Sequence, residues 1–541
     1  MGNSISYNET PFELSLGDKG AIRGLQFEDK SRRYAGVPYA LPPIGEYRWR
    51  KPRPLPASYT YSEADGGAYN ATSFKTVCPQ KAFHIGDAEG GSGTYSEDCL
   101  FVNIWTPVPQ DHDGGKKWPV MLWLHGGWFQ MGDPSQEPGM DPTEMISTGG
   151  LNAIVVAIGY RLNVFGFLSG HALLSESGGD SGGNFGLWDQ RMAAVWVKDN
   201  ISLFGGDPNN ITLAGRSAGA YSVEAQMLYE FRKPGPKTSL FRRIFMDSNA
   251  IPAQPKSLAD GTEQFGELCA HFKIEVSLSP ERKLARLRQI SALDLVKAIP
   301  HLKQHTFRPI TDGIFIHTGM FEYLQSQEFA DEFNARGYRI LIGEVLNEET
   351  LYSAYNGPTE PTIEALQLQV SNYYAPEVTN RILQCYGLPK SENLEEWKTL
   401  FGQIISDGQV RAPSRALLKH LVANGVNIQD TWRYQIAYRL SFIDEKIAPM
   451  SFGVAHAMDK PFWNFSICHG PTPDEKRLMK EWIEILVAFV NHCEEYDFGT
   501  RKLDEMKVVT SQAKIEVEKD ERWDEILRIG KVFAGDDQSS S

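Results

Sequence analysis

No uninterrupted apolar run in this chain is long enough to cross a bilayer. The best candidate, residues 151 to 168, is broken by Arg161 and reads as a buried strand and its exit, so no transmembrane segment is expected. Positive charge is also in deficit. Lys and Arg number 54 against 68 Asp and Glu, giving a net charge of −14 and a pI near 5.4, which argues against nucleic acid as a partner. Cysteine is scarce: Cys78, Cys99, Cys269, Cys385, Cys468 and Cys493 are too few and too scattered for a disulfide scaffold or a metal cluster, and no cofactor or metal is called for. Repeats of 20 to 50 residues and low-complexity linkers are missing too, so no domain boundary stands out. The first thirty residues lack the basic start and apolar centre of a secretory signal, and the expected compartment is the cytoplasm unless a leader was removed. The opening MGNSIS fits acylation at Gly2, although one acyl chain anchors weakly. Sequons at Asn8, Asn70, Asn200, Asn210 and Asn464 arise by chance in a chain this long and do not settle the compartment.

What is present is the composition of a protein with a large core: 541 residues, 41% hydrophobic and 11% aromatic. Short apolar runs, WPVMLWL from Trp118 to Leu124 and AIVVAIG from Ala153 to Gly159, are of the kind that form strands buried on both faces. Residues 210 to 214 and 340 to 342 read the same way. Helical stretches such as 188 to 199 lie between them, and the alternation predicts a mostly parallel sheet flanked by helices, with ligand sites at strand ends. Residues 472 to 492 open with Thr-Pro-Asp, a capping signal, and place Leu478, Trp482, Ile485, Leu486 and Phe489 at helical spacing. A helix packed on the sheet is expected there in preference to a dimer face. The charged stretch from Lys502 to Glu525 reads as solvated surface.

A serine hydroxyl becomes a nucleophile only when a base takes its proton and donors hold the oxyanion that follows. Two Gly-x-Ser-x-Gly segments occur. Gly179-Asp-Ser-Gly-Gly183 lies in a Ser/Gly-rich stretch with no strand leading into it, and reads as a loop. Gly215-Arg-Ser-Ala-Gly219 follows an apolar strand and opens the helical run 220 to 231, the context a nucleophile elbow requires. Ser217 is the candidate nucleophile.

Further segments appear in order: YAGVPYALPPIGEYRW (34 to 49), SEDCLFVNIWTP (96 to 107), LHGGWFQMG (124 to 132), YRLNVFGFL (160 to 168), NFGLWDQ (184 to 190) and FGGDPNNITLAGRSAGA (204 to 220). Together they resemble the type B carboxylesterase and cholinesterase-like family over nearly the whole chain. That resemblance implies one large catalytic domain of the α/β-hydrolase fold, residues 1 to 541, acting as a serine carboxylesterase. Its order of serine, acid, histidine implies His456, in GVAHAMD, as general base, with His469 as the downstream rival. GEVLNEETLY from Gly343 resembles the family's acid turn and implies Glu348, although the family glycine is here Glu349 and two carboxylates are adjacent. The loop His125-Gly-Gly-Trp128 resembles the oxyanion loop and implies N–H donors at Gly127, Trp128 and Ala218. The Trp128 side chain is expected to narrow the pocket and to make bulky tertiary-alcohol esters poor substrates.

Where the family usually has Glu before the nucleophile, this chain has Arg216, and Asp247, Ser248 and Asn249 match the family's Gln-Ser-Gly turn. Either Arg216 pairs with Asp247 to keep a buried network neutral, or it binds an acidic group on the substrate. Cys78 and Cys99 match the family's first disulfide loop. That loop here has no tryptophan to stack on choline and too few apolar residues for an interfacial lid, which favours a soluble ester of modest size. An acyl transferase or product-releasing esterase of a biosynthetic pathway, and an inactive adhesion protein, are the alternatives. The oligomeric state is not readable.

Overall fold

The apolar runs become the centre of one twisted sheet. The computed structural model describes residues 7–81, 95–109, 115, 117–135, 141–233, 239–446 and 448–535. Gly2 and most of the segment between Cys78 and Cys99 lie outside these residues. Twelve strands form a continuous path: β1 (Glu9–Ser15), β2 (Ala21–Phe27), β3 (Ser31–Pro38), β4 (Phe101–Pro107), β5 (Trp118–Leu124), β6 (Ile154–Ile158), β7 (Gly206–Arg216), β8 (Arg243–Asp247), β9 (Arg339–Val345), β10 (Thr431–Ile436), β11 (Glu505–Val509) and β12 (Ile515–Lys519). Their order across the sheet is β1-β2-β3-β4-β6-β5-β7-β8-β9-β10-β11-β12, with a short strand, Tyr69–Asn70, beside β2. From β6 to β11 every neighbour is parallel. The two ends are antiparallel.

Parallel strands need crossovers, and the helices that supply them cover both faces of the sheet. They include α1 (Phe185–Asn200), α2 (Ala218–Arg232), α3 (Leu258–His271), α4 (Glu348–Asn356), α5 (Leu394–Ser406), α6 (Ala412–Ala423), α7 (Pro473–Val490) and α8 (Trp523–Ala534). Apolar side chains of one face of the central strands join one core with α1 and α2; those of the other face join a second core with α7. This is the mostly parallel, helix-flanked sheet that the alternation of runs predicted and the α/β-hydrolase fold that the resemblance implied.

The register brings the C-terminal ends of the central strands level. Gly215 stands opposite Leu124, Arg216 opposite Asp247, Asp247 opposite Gly343, and Gly343 opposite Tyr434. Loops leaving β5, β7, β8, β9 and β10 therefore emerge side by side along one edge, the position at which open α/β sheets hold ligands.

The helix over 472 to 492 runs from Pro473 to Val490, capped reciprocally by Thr472 and Glu475. Its apolar stripe is buried, with the Trp482 ring 6.0 Å from that of Tyr434, so this face packs on the sheet and is not free for a dimer partner.

Two expectations are corrected. The stretch from Lys502 to Glu525 is not simply solvated surface: Glu505–Val509 is a strand of the main sheet, with Met506, Val508 and Val509 buried. Its charged residues alternate outward, and period-2 alternation over only five residues is easily lost among flanking charges. Cys78 and Cys99 are buried free thiols, not a disulfide. The Cys78 thiol hydrogen-bonds that of Cys99 and, with burial, pushes the Cys99 thiol well above its ordinary value. Cys78 Sγ also accepts the Leu162 N–H at 3.2 Å.

Candidate active site

Ser217 sits in the one-residue turn between β7 and α2, with φ 55° and ψ −123°. This conformation is rare for a residue with a Cβ and costs about 1–3 kcal/mol, which the surroundings must hold in place. Its N–H donates to the Asp247 carbonyl at 2.7 Å, its carbonyl accepts the Tyr221 N–H at 3.0 Å, and it heads the fifteen-residue helix α2. The turn is tight because two glycines permit it. A Cβ on Gly215 would come within 2.5 Å of Gly219 carbon, and one on Gly219 within 2.0 Å of the Leu124 carbonyl oxygen. The other segment, around Ser181, is a turn after a short helix, and Ser181 Oγ donates to the Gly183 carbonyl.

The loop after β5 passes directly over this turn. A Cβ on Gly126 would lie 3.1 Å from Ser217 Cβ. Gly127, Trp128 and Phe129 follow with φ of 109°, 56° and 65°, a run of left-handed backbone that coils the loop tightly. Gln130 clamps it from outside: its side chain accepts the Phe307 N–H at 3.1 Å and donates to the Phe307 carbonyl at 2.6 Å. Ala218 is buried at the first position of α2.

Glu348 and His456 approach from β9 and β10. Asn347 N–H donates to the Val454 carbonyl at 2.9 Å, and the Asn347 side chain accepts the Val454 N–H at 3.1 Å, a short bridge that locks the two loops together. His456 Nδ1 then lies 2.5 Å from Glu348 Oε2, and both side chains are buried. Glu348 Oε1 accepts Ser248 Oγ–H at 2.7 Å and the Val345 N–H at 2.9 Å, which fixes the carboxylate plane. His456 Nε2 is buried and has no hydrogen-bond partner among the described residues. The adjacent carboxylate turns away: Glu349 accepts Arg411 Nη2–H at 2.6 Å. His469 is half-buried in the loop before α7.

Arg216 points to the opposite side of the turn. Its Nε donates to Asp247 Oδ2 at 2.6 Å, with Asp459 Oδ1 at 4.0 Å and the Trp123 ring 5.4 Å away. Tyr434 donates to Asp247 Oδ1 at 2.9 Å and Trp463 to Asp459 Oδ2 at 3.2 Å. Burial, and next the Asp247 carboxylate, push Asp459 well above the usual carboxylate range. Both effects favour the protonated acid over a second buried carboxylate beside a single guanidinium. Asn249 is buried beside it.

A family model described as the carboxylesterase family matches residues 11–527. The chain belongs to the carboxylesterase family. Among curated relatives of this carboxylesterase, an uncharacterized esterase/lipase of Schizosaccharomyces pombe is 38% identical over 98% of both chains. A carboxylic ester hydrolase of Gibberella moniliformis is 35% identical over 97% of both, and the para-nitrobenzyl esterase of Bacillus subtilis 33% identical over 62% of both. The solved structure of a thermophilic para-nitrobenzyl esterase shares the fold, with a TM-score of 0.73, 23% identity, and coverage of 96% of this chain and all of the other.

A cleft lined by Lys256, Gln264, Gln304, Arg308 and Gln409 has Tyr221, one turn along α2 from Ser217, in its wall. The Tyr352 ring lies tilted 5.2 Å from the His456 ring and meets the Trp128 ring edge-on at 6.5 Å, so Tyr352 links the loop after β5 to the His456 loop. Sequence reasoning missed Asp459, Tyr352 and the cleft residues. Asp459 had a signal, an acid in an apolar loop three positions after the histidine. The cleft residues had none.

Proposed function

We propose that this carboxylesterase cleaves esters through an acyl-enzyme on Ser217. His456 Nε2 takes the hydroxyl proton as Ser217 Oγ attacks the ester carbonyl carbon. The resulting oxyanion is held by the N–H groups of Gly127, Trp128 and Ala218, helped by the positive end of α2. The tetrahedral adduct collapses, the C–O bond to the alcohol breaks, and His456 returns its proton to the departing oxygen. A water molecule, deprotonated by the same nitrogen, then attacks the acyl-enzyme and releases the acid. Glu348 orients the imidazole and stabilises the imidazolium that forms at each step. Ser248 and the Val345 N–H hold Glu348, and the paired Arg216 and Asp247 support the turn from behind.

One observation carries this reading. A histidine bonded to a buried carboxylate through Nδ1, with Nε2 unpartnered, comes from loops beside a serine held in a strained elbow. With 4-nitrophenyl butyrate as substrate, Ser217→Ala and His456→Ala should each lower kcat by about a thousandfold or more while the thermal transition stays cooperative. Retention of most activity by either variant would contradict the assignment.

A further inference from the structure

The cleft holds two cations that form no ion pair among the described residues. Arg308 is half-buried, between the Phe129 ring at 5.6 Å and the Tyr373 ring at 4.8 Å, and donates to Gln409 Oε1 at 2.9 Å. Lys256 is half-buried and donates to Gln304 Oε1 at 2.5 Å. Both line the cleft, and among the described residues neither forms an ion pair with a carboxylate. Elsewhere Arg161, Arg216 and Arg415 are each bonded to an Asp or Glu, while the buried Arg243 donates to Thr212, Asn210 and the Val490 carbonyl and does not line the cleft. Withdrawing a cation from water without a counter-charge is costly, and a fold that does so twice in one cleft leaves a place for an anion.

The segment carrying Arg308 is anchored on both sides. Phe307 is clamped to Gln130 of the oxyanion loop, and Ile310 exchanges backbone hydrogen bonds with the Asn184 side chain, both at 2.9 Å. Thr311 N–H donates to the Lys256 carbonyl at 2.7 Å, which sets the two cationic segments side by side. Two acids reach the cleft wall from α3. Asp260 is committed to capping α3 through Ser257, and Glu263 is exposed at the rim. The guanidinium is preorganised by its rings, its amide partner and its anchored backbone, not by a charge it would have to give up.

We infer that this cleft binds a carboxylate carried by the ester substrate, with Arg308 as the principal contact and Lys256 beside it, so that the preferred substrates are half-esters of dicarboxylic acids or esters of hydroxy acids. This rests on the proposed esterase reading and names the substrate class of that site. Lys256 supports it. Burial, and then Arg308, pull its ammonium down to about 8, against Asp260 and Glu267, with His305 also facing it, and a bound carboxylate would hold the proton there.

Two readouts separate the inference from the esterase reading. Binding is measured by calorimetry on Ser217→Ala, with monoethyl adipate and 6-acetoxyhexanoate, which place the carboxylate on the acyl and the alcohol side. Turnover of each by the otherwise unaltered enzyme is compared with ethyl hexanoate and hexyl acetate. At least one charged ester is expected to bind, and the charged-to-neutral ratio of kcat/KM for that pair to fall about tenfold or more in Arg308→Gln, through KM, and to be largely restored in Arg308→Lys. If the neutral esters are hydrolysed but neither charged ester binds, or if Arg308→Gln lowers both members of a pair equally, the inference is overturned and the esterase reading stands. Binding of a charged ester that Arg308→Gln abolishes, without turnover of any ester, would uphold the carboxylate site and overturn the mechanism.

Discussion

Charges along the strand-end edge that carries Ser217 fall into two populations that differ in what faces them. Behind the edge they are matched: Arg216 with Asp247, Arg411 with Glu349, and Arg415 with Glu344. On the reacting side they are not. Among the described residues, His456 meets one carboxylate and its Nε2 has no partner, while Arg308 and Lys256 hydrogen-bond to amide oxygens and form no ion pair. A matched buried charge has its field already used and serves the fold; an unmatched one keeps its field for something that arrives. Removing a charge behind the edge should therefore cost stability, and removing one on the reacting side should cost rate.

The largest effect is expected at Glu348. Glu348→Gln should lower kcat by about a thousandfold to ten-thousandfold in steady-state assays, because the histidine loses the acceptor that sets its tautomer, with a smaller change in the melting temperature. A change in melting temperature without loss of rate would move Glu348 into the structural population.

Arg216→Met tests the other side. It leaves Asp247 without its cation and beside Asp459, at a cost of about 3–5 kcal/mol in chemical denaturation. Adding Asp247→Asn should recover part of that loss, since the two residues share one interaction. Full stability in the single variant would show that the pair is not what holds the turn.

Acid should reach Glu344 next. Burial raises its carboxyl, but Arg415, with Arg433 and Arg411, outweighs this and holds it down at about 2, against an ordinary 4.5. Because the folded value is depressed, its contribution is present above pH 4.5 and is lost as pH falls towards 2, on the order of 3 kcal/mol. Urea midpoints followed over that window should fall in the parent protein, and less steeply in Arg415→Met, which starts less stable. The smallest effect is expected at Glu349: Glu349→Gln should cost about 1–3 kcal/mol through Arg411 and leave kcat within a few-fold.

Legibility in the sequence followed the same division. Ser217, the loop at Gly127 and the strands around them were readable because strained turns and buried parallel strands demand particular residue types in consecutive positions. Glu348 was readable only to within one residue, since two adjacent carboxylates differ in nothing but direction, and direction comes from the bridge between Asn347 and Val454. Arg308 and Lys256 were not readable at all. They lie 52 positions apart and are brought together by the pairing of residues 256 and 257 with Thr311, which leaves no local pattern. The strand Glu505–Val509 was hidden for a related reason: its neighbour in space is β10, about seventy residues earlier.

The central claim is that Ser217, and not Ser181, is the nucleophile activated by His456. Treating the folded protein with a fluorophosphonate and mapping the adduct by peptide mass spectrometry tests it most directly. A single adduct on Ser217, absent after heat unfolding and absent in His456→Ala, is the predicted result; an unmodified Ser217 in the folded protein, or an adduct on Ser181, would contradict it.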